Sequence, residues 1–208
     1  MKVWQVLFIF ALGYHTVFAQ SGIIDIHAGY MNPKDAKAGM LIGGMFGTKV
    51  DEAVDVGIGF DVFHKSYADV SQVAQSDATG LTSKTYVTEV DYSRTIIPVH
   101  IVINVKIRAG RYFGYLIRGG LGYQFLISKE QNYELETTDT RRYGGLGWQG
   151  AAGLYYNVGD RSTLTADVFY NNAQVSRSVD KSTRGLPTQE RVSLSGLGIR
   201  LGVILDIR

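Results

Sequence analysis

The sequence predicts an all-β protein, an eight-stranded antiparallel up-and-down transmembrane β-barrel that follows a cleaved signal peptide. Three observations lead to this fold class. Apolar residues recur at every second position through most of the chain after residue 22, which is the period of a β-strand. The connections between these alternating segments are mostly short and long in turn. The one long apolar stretch without such alternation lies at the N-terminus.

The N-terminus has the three-part layout of a secretory signal peptide. Lys2 supplies a positive charge, residues 3–13 form an apolar core, and Val17-Phe18-Ala19 precede the expected cleavage site. An N-terminal anchor helix is the alternative, but the apolar core is too short to span a bilayer. We therefore expect two regions, a signal peptide at residues 1–19 and an outer-membrane barrel domain at residues 20–208.

The composition excludes several other classes of protein. The chain has 208 residues, of which 45% are hydrophobic, so it does not resemble a disordered chain. It contains no cysteine, which excludes disulfides, thiolate metal sites and cysteine nucleophiles. The formal net charge is +2 and the basic residues form no run, so nothing favours nucleic-acid binding.

The alternation divides the chain into eight strands. In residues 113–127, FGYLIRGGLGYQFLI, one face is apolar with aromatic residues towards both ends, and the other is small or polar. Pro98 cannot donate a hydrogen bond to a neighbouring strand, so a β-bulge is predicted there. The predicted strands are 22–32, 38–48, 54–67, 85–108, 112–128, 143–157, 162–176 and 190–207.

The polar face predicts how the barrel is oriented. A soluble barrel needs a wet exterior rich in Lys and Glu, whereas the few strand charges here share a face with glycines. An eight-stranded barrel has an interior just wide enough for side chains to fill, so the apolar face is placed in lipid. The alternative is a soluble exported β-barrel that binds an apolar ligand. Long polar loops are predicted on the outer side of the membrane, at 68–84, 129–142 and 177–189.

Polar residues on the inward face predict a closed interior. Buried charges are costly unless they are paired, so we expect an interlocked network that closes the lumen, with a proton or ion path as the alternative. Its predicted members are Asp25, His27, Asp55, Asp61, Lys65, His100, Asn104, Lys106, Arg118, Gln124, Gln149, Asp167, Arg200 and Asp206.

Aromatic residues on the apolar face predict the two membrane interfaces. Phe113 and Phe125 are separated by about 30 Å along the axis of a tilted barrel, which brackets an apolar band of ~25 Å. Ordinary core aromatics of a β-sandwich are the alternative. The predicted girdle residues are Tyr30, Phe113, Tyr115, Tyr123, Phe125, Trp148, Tyr156 and Tyr170.

The features that carry a family resemblance are the signal peptide, the alternating strands and two glycine-rich segments, GGLGYQF at 119–125 and GLGIRLGV at 196–203. In these features the chain resembles the small outer-membrane β-barrel domain family, which includes the OmpA- and OmpX-like barrels. The resemblance implies a monomer in the outer membrane of a Gram-negative-type cell, assembled by the barrel-assembly machinery and surrounded by lipid and lipopolysaccharide. It also implies a structural or adhesive role, in which long loops contact an extracellular surface ligand. No cofactor is expected.

One pair of residues suggests an enzyme. His64 and Ser66 lie two residues apart on one strand face, and this is similar to the lipid A deacylase family, in which a histidine activates a serine. Asp69 or Asp77 could orient the histidine, although neither spacing matches that family. The favoured interpretation is that His64 is an interface residue and Ser66 begins the loop. His27 and His100 lack paired ligands, so no metal site is expected.

Overall fold

The computed structural model describes residues 22–76, 82–132, 137–179 and 188–207. The expected signal peptide, residues 1–19, lies outside these ranges. In this part of the chain no helix is long and apolar enough to cross a membrane. The described residues form strands β1 (Gly22–Pro33), β2 (Gly39–Lys49), β3 (Val54–Ser76), β4 (Thr82–Arg108), β5 (Phe113–Asn132), β6 (Thr137–Asn157), β7 (Ser162–Val179), β8 (Thr188–Ser193) and β9 (Gly196–Ile207).

The strands close into a barrel with eight strand positions around its axis, which we call staves. Each strand from β1 to β7 pairs antiparallel with the next, and β9 pairs with β1 on one side and with β7 on the other. Strands β8 and β9 together occupy one stave, because β7 pairs with β8 through Gln174–Val179 and with β9 through Ser162–Asn171. A closed sheet leaves no unpaired edge. The predicted all-β, eight-stranded antiparallel fold is confirmed.

The last stave is interrupted at Leu194 and Ser195, which sequence reasoning placed inside one strand, 190–207. The register with β7 is the same on both sides of the break, from Gln174 opposite Ser193 to Asn171 opposite Gly196. The side chain of Asn171 donates from Nδ2 to the carbonyl oxygen of Leu194 at 2.9 Å. At this break, a hydrogen bond from the Asn171 side chain therefore replaces one of the backbone hydrogen bonds between the strands.

Short turns at one end of the barrel agree with the predicted layout. Residues 50–53, 109–112 and 158–161 connect β2 to β3, β4 to β5 and β6 to β7, and we call this the turn end and the opposite end the loop end. The Asp51 side chain accepts hydrogen bonds from the amides of Ala53 and Val54, at 2.6 and 2.7 Å. Gly159 has φ +84°, a conformation that glycine adopts without strain.

The strands at the loop end are longer than predicted. Sequence reasoning assigned residues 68–84, 129–142 and 177–189 to loops because they are polar, but β3 continues to Ser76 and pairs with β4 up to Thr82. Strand β5 likewise runs to Asn132, and β6 begins at Thr137. Threonine and valine recur in these segments and favour strands even where the surface is wet. A prediction of the strand ends from polarity alone was therefore wrong here.

The predicted bulge at Pro98 is wrong. Pro98 pairs with Gln124 in an uninterrupted β4–β5 ladder, and the β3–β4 register is unchanged between the Phe60–Val99 pair and the Phe63–Ile96 pair. The missing proline N–H therefore interrupts the β3–β4 ladder locally without inserting a residue. The register shift lies further along, between Asp69 and Val70.

The exterior of the barrel is apolar. Ile101, Leu121 and Leu201 are 66%, 65% and 70% exposed on the outer face, whereas Asp25 and Gln124 are fully buried on the inner face. Such a surface is incompatible with water and matches hydrocarbon. The apolar face thus points outward, as the transmembrane fold requires, and the arrangement is the reverse of a soluble carrier for apolar ligands.

Candidate functional site: the barrel interior

A histidine between two carboxylates lies at the centre of the interior. His27 Nδ1 is 3.1 Å from Asp25 Oδ1, and His27 Nε2 is 2.6 Å from Asp61 Oδ1. The register explains the second contact, because His27 and Asp61 face each other across Gly43 of β2, where a Cβ atom would collide with the Asp61 carboxylate. Carboxylate oxygens only accept hydrogen bonds, so a doubly protonated imidazolium satisfies both contacts.

Two arginines complete the central cluster. Arg118 contacts Asp25 at 2.6 Å and Asp167 at 3.4 Å, while Arg200 donates from Nε to Asp167 Oδ1 at 2.9 Å. Arg200 also donates to Gln149 Oε1 at 2.8 Å. With His27 protonated, three cations face three carboxylates, so the cluster is neutral overall. This balance lowers the cost of burying charge.

Amide side chains form a second layer on the loop side of this cluster. Gln124 Nε2 donates to Asn171 Oδ1 at 2.6 Å, and Asn171 Nδ2 contacts Gln124 Oε1 at 3.1 Å. His100 Nε2 is 3.4 Å from Gln124 Nε2. Asn171 was not among the predicted lumen residues, although its alternation with Asp167 along β7 would have identified it.

Two further ion pairs lie towards the turn end. Lys106 Nζ is 2.7 Å from Asp55 Oδ2, and Lys49 Nζ is 2.5 Å from Asp206 Oδ2. Asn104 is fully buried and donates to the sulfur of Met45 at 3.7 Å. Of the predicted lumen residues, only Lys65 forms no side-chain hydrogen bond or ion pair within the described part of the chain. Ten of the fourteen are buried, and the half-buried ones are Lys65, Lys106, Gln149 and Asp206.

An apolar layer fills the interior near the loop end, and sequence reasoning missed it. Its members are buried inside the barrel: Met31, Leu41, Phe63, Ile96, Leu126, Tyr143, Ala151, Phe169, Ala173, Val175 and Leu194. The signal was present in the sequence, because several strands become apolar on both faces there, as in Val62-Phe63 and Leu126-Ile127. A smaller apolar group of Ile23, Met45 and Ile204 lies near the turn end.

A small cavity lies in the polar interior. It has a volume of about 20 Å³ and is bordered by His27, His100, Arg118, Gln149 and Arg200, among others. A cavity needs roughly 10–15 Å³ of such space to hold a water molecule, so this one accommodates about one. No group of three His, Asp or Glu side chains among the described residues is arranged to hold a metal ion.

The predicted girdle aromatics all lie on the outer face, each between 39% and 56% exposed. Phe113 and Tyr156 are paired near the turn end. In the loop half, the rings of Trp148 and Tyr170 are 5.7 Å apart and those of Tyr123 and Phe125 are 4.9 Å apart.

His64 and Ser66 are both exposed on the outer face of β3. His64 Nδ1 is 3.0 Å from Thr95 Oγ1 on the paired strand β4. The structure describes the Asp69 backbone without its side chain, and Asp77 lies outside the described residues. Within the described chain, the structure therefore brings a threonine hydroxyl, and no carboxylate, to His64.

Comparison with known proteins places this fold. No protein-family model matches the chain, and no curated protein matches it. Solved structures that match over almost their whole length include OprG of Pseudomonas aeruginosa, with a TM-score of 0.55 and 13% identity over 91% of this chain and 97% of that one. They also include a major outer membrane protein of Thermus thermophilus (0.54, 12%, 89% and 99%). A third is Ail, the attachment invasion locus protein of Yersinia pestis, in complex with the heparin analogue sucrose octasulfate (0.51, 13%, 90% and 97%). The chain has the fold of the small outer-membrane β-barrels. At these identities the likeness concerns the fold alone.

Proposed function

We propose that the protein is an integral outer-membrane barrel with a closed lumen and a structural role in the membrane of a Gram-negative-type cell. Residues 1–19 act as the signal peptide, cleavage follows Ala19, and the barrel-assembly machinery inserts the mature chain as a monomer. The observation that carries this proposal is the filled interior, where the neutral ion cluster and the apolar layer lie one above the other. An ion would have to displace both layers to pass.

Electrical recording tests the closed lumen. The protein, purified from membranes in detergent and inserted into planar bilayers, is expected to give no steady conductance, with a 16-stranded porin as the positive control. Electrophoresis with and without boiling verifies that the inserted protein is folded. Reproducible channel steps from the folded protein would contradict the closed lumen, and recovery of the protein in the soluble fraction would contradict membrane insertion.

A second function, surface adhesion, is favoured by the strand extensions. The β3–β4 ladder continues from Phe63 to Ser76, roughly 33 Å along the axis of a tilted barrel, well beyond the apolar band. A rigid scaffold of this kind positions loops for contact with an extracellular ligand. The binding segments are then those within 68–84, 129–142 and 177–189.

Shortening one extension tests adhesion. Val70 pairs with Thr88, so residues 71–87 can be replaced by an Asn-Gly turn that joins paired positions. We expect a folded, heat-modifiable barrel whose host cells no longer attach to a cultured cell layer. Attachment equal to that of the unaltered protein would remove these segments from the proposal.

We propose no hydrolytic role for His64 and Ser66. The contact with Thr95 supports the interface interpretation, because Thr95 bonds one ring nitrogen and nothing in the described chain orients the imidazole as a base. A Ser66→Ala variant is expected to leave the acylation of lipid A in the host unchanged, as measured by mass spectrometry. A loss of deacylated lipid A in that variant would restore the enzyme hypothesis.

A further inference from the structure

Charged residues lie further towards the loop end than the girdle residues Tyr123, Phe125, Trp148 and Tyr170. They form two sets, one on the inner face of the strands and one on the outer face. On the inner face, Arg141 contacts Asp139 at 2.8 Å and lies within 4.0 Å of Glu130 and Glu190. Arg177, also on this face, contacts Glu190 at 3.2 Å. Hydrogen bonding to Asp139 raises the pKa of the Arg141 guanidinium. Arg141 and Arg177 are therefore neutralised by carboxylates of the protein itself.

The outer-face cations differ. Lys129 of β5 and Arg142 of β6 are both exposed, and neither forms an ion pair or hydrogen bond through its side chain in the part of the chain that the structure describes. Lys129 lies opposite Thr140, and Arg142 lies opposite Ile127. Lys129 and Arg142 are thus diagonal neighbours, about 7–8 Å apart at the backbone, a separation that long side chains bridge.

These cations lie at a defined depth relative to the apolar band. Phe125, a girdle residue, is two positions from Ile127 and four from Lys129 on the same face of β5. The rise of a tilted strand places Arg142 about 5 Å and Lys129 about 10 Å beyond Phe125 along the barrel axis. That is the depth of lipid headgroups.

We propose that Lys129 and Arg142, with the hydroxyl of Thr140, bind a phosphate group of a lipopolysaccharide-type lipid in the outer leaflet. This inference rests on the proposed placement of the barrel in the outer membrane. A guanidinium offers two parallel donors to a phosphate, the ammonium adds a charge, and the threonine hydroxyl adds a third donor. Two like charges side by side otherwise repel, and a bound phosphate dianion removes that repulsion.

The carboxylates near Lys129 and Arg142 lie on the side of this site that faces away from the bilayer. Asp91 of β4 faces Gln131, two pairs beyond the Ser93–Lys129 pair, and it has an interaction of its own. Glu130 and Asp139 point to the inner face and contact Arg141. A lipid phosphate approaching from the membrane therefore meets Arg142 first.

Native mass spectrometry of the folded protein in detergent tests the site. The probes are bis-phosphorylated lipid A, the same lipid after enzymatic dephosphorylation, and inorganic phosphate. The Lys129→Gln/Arg142→Gln double variant is compared with Arg111→Gln/Arg161→Gln, which removes the same charge from two exposed residues at the turn end. Heat-modifiable electrophoresis confirms folding of each variant.

We expect the unaltered protein and the turn-end control to retain phosphorylated lipid A, and the Lys129/Arg142 variant to retain it about tenfold less or weaker still, since hydrogen bonds to charged groups are worth at least that factor. Equal retention by both double variants, or equal retention of the dephosphorylated lipid, overturns the proposal. Competition by inorganic phosphate at the concentration of the lipid would identify a free-phosphate site and also overturn it. Failure of the barrel to fold or to fractionate with membranes would refute the proposed function separately.

Discussion

Single residues in the interior are coupled through shared carboxylates, and Asp167 is the clearest case. It is buried and accepts from Arg200 at 2.9 Å while lying 3.4 Å from Arg118. Asp167→Asn removes the carboxylate that pairs with the buried Arg200 and one of the two that contact Arg118, so we expect a loss of ~3–5 kcal/mol in the free energy of unfolding. Urea unfolding in lipid vesicles measures this. Glu52→Gln, which breaks the exposed pair with Arg108, is the matched control.

The result expected for Glu52→Gln is little or no change, because exposed ion pairs contribute little. If Asp167→Asn destabilised the barrel no more than this control, the interior cluster would not be a tightly coupled network. A Gly43→Ala variant offers a second check, since its Cβ would displace Asp61 from His27.

Alternation along each strand predicts which residues enter the lumen, but it does not predict their partners. His27 and Asp61 are brought together by the register of β2 with both neighbours, whereas Arg118 reaches Asp167 across two strand pairings. Register depends on turn geometry and on packing over the whole barrel. The alternation also did not predict the apolar layer near the loop end. Inward positions were expected to be polar, whereas Phe63 points inward and packs in that layer.

At the scale of elements, the break between β8 and β9 has a packing role that a variant can measure. Leu194 is fully buried in the apolar layer, and its carbonyl oxygen accepts from Asn171. Leu194→Ala is expected to lower the free energy of unfolding by ~2–5 kcal/mol, as for other buried leucines. Leu197→Ala, three residues along but 61% exposed on the outer face, should have a clearly smaller effect.

Equal losses for the two leucine variants would show that Leu194 does not pack inside the barrel. Both variants are compared by the same urea unfolding in vesicles. The sequence predicted all eight staves because each carries the two-residue period, but it could not predict the break, since that depends on the Asn171 side chain of another strand. The Pro98 bulge failed for a related reason, because a missing N–H does not by itself add a residue to the strand.

At the scale of the whole molecule, the outward apolar surface fixes how the barrel sits in a bilayer, and the cost of a charge should depend on depth. Leu121 lies within the apolar band and is 65% exposed, whereas Val158 lies in a turn at the end of the barrel and is 51% exposed. Leu121→Arg is expected to cost about 2–4 kcal/mol of unfolding free energy in vesicles, and Val158→Arg about 0–1 kcal/mol. Both variants replace an exposed apolar side chain by arginine. The difference between their costs therefore measures the effect of depth in the bilayer, apart from the loss of an apolar side chain. Similar costs at both positions would mean that the exposed leucines and isoleucines do not face hydrocarbon, and the orientation on which the closed lumen and the lipid phosphate site depend would fail with them.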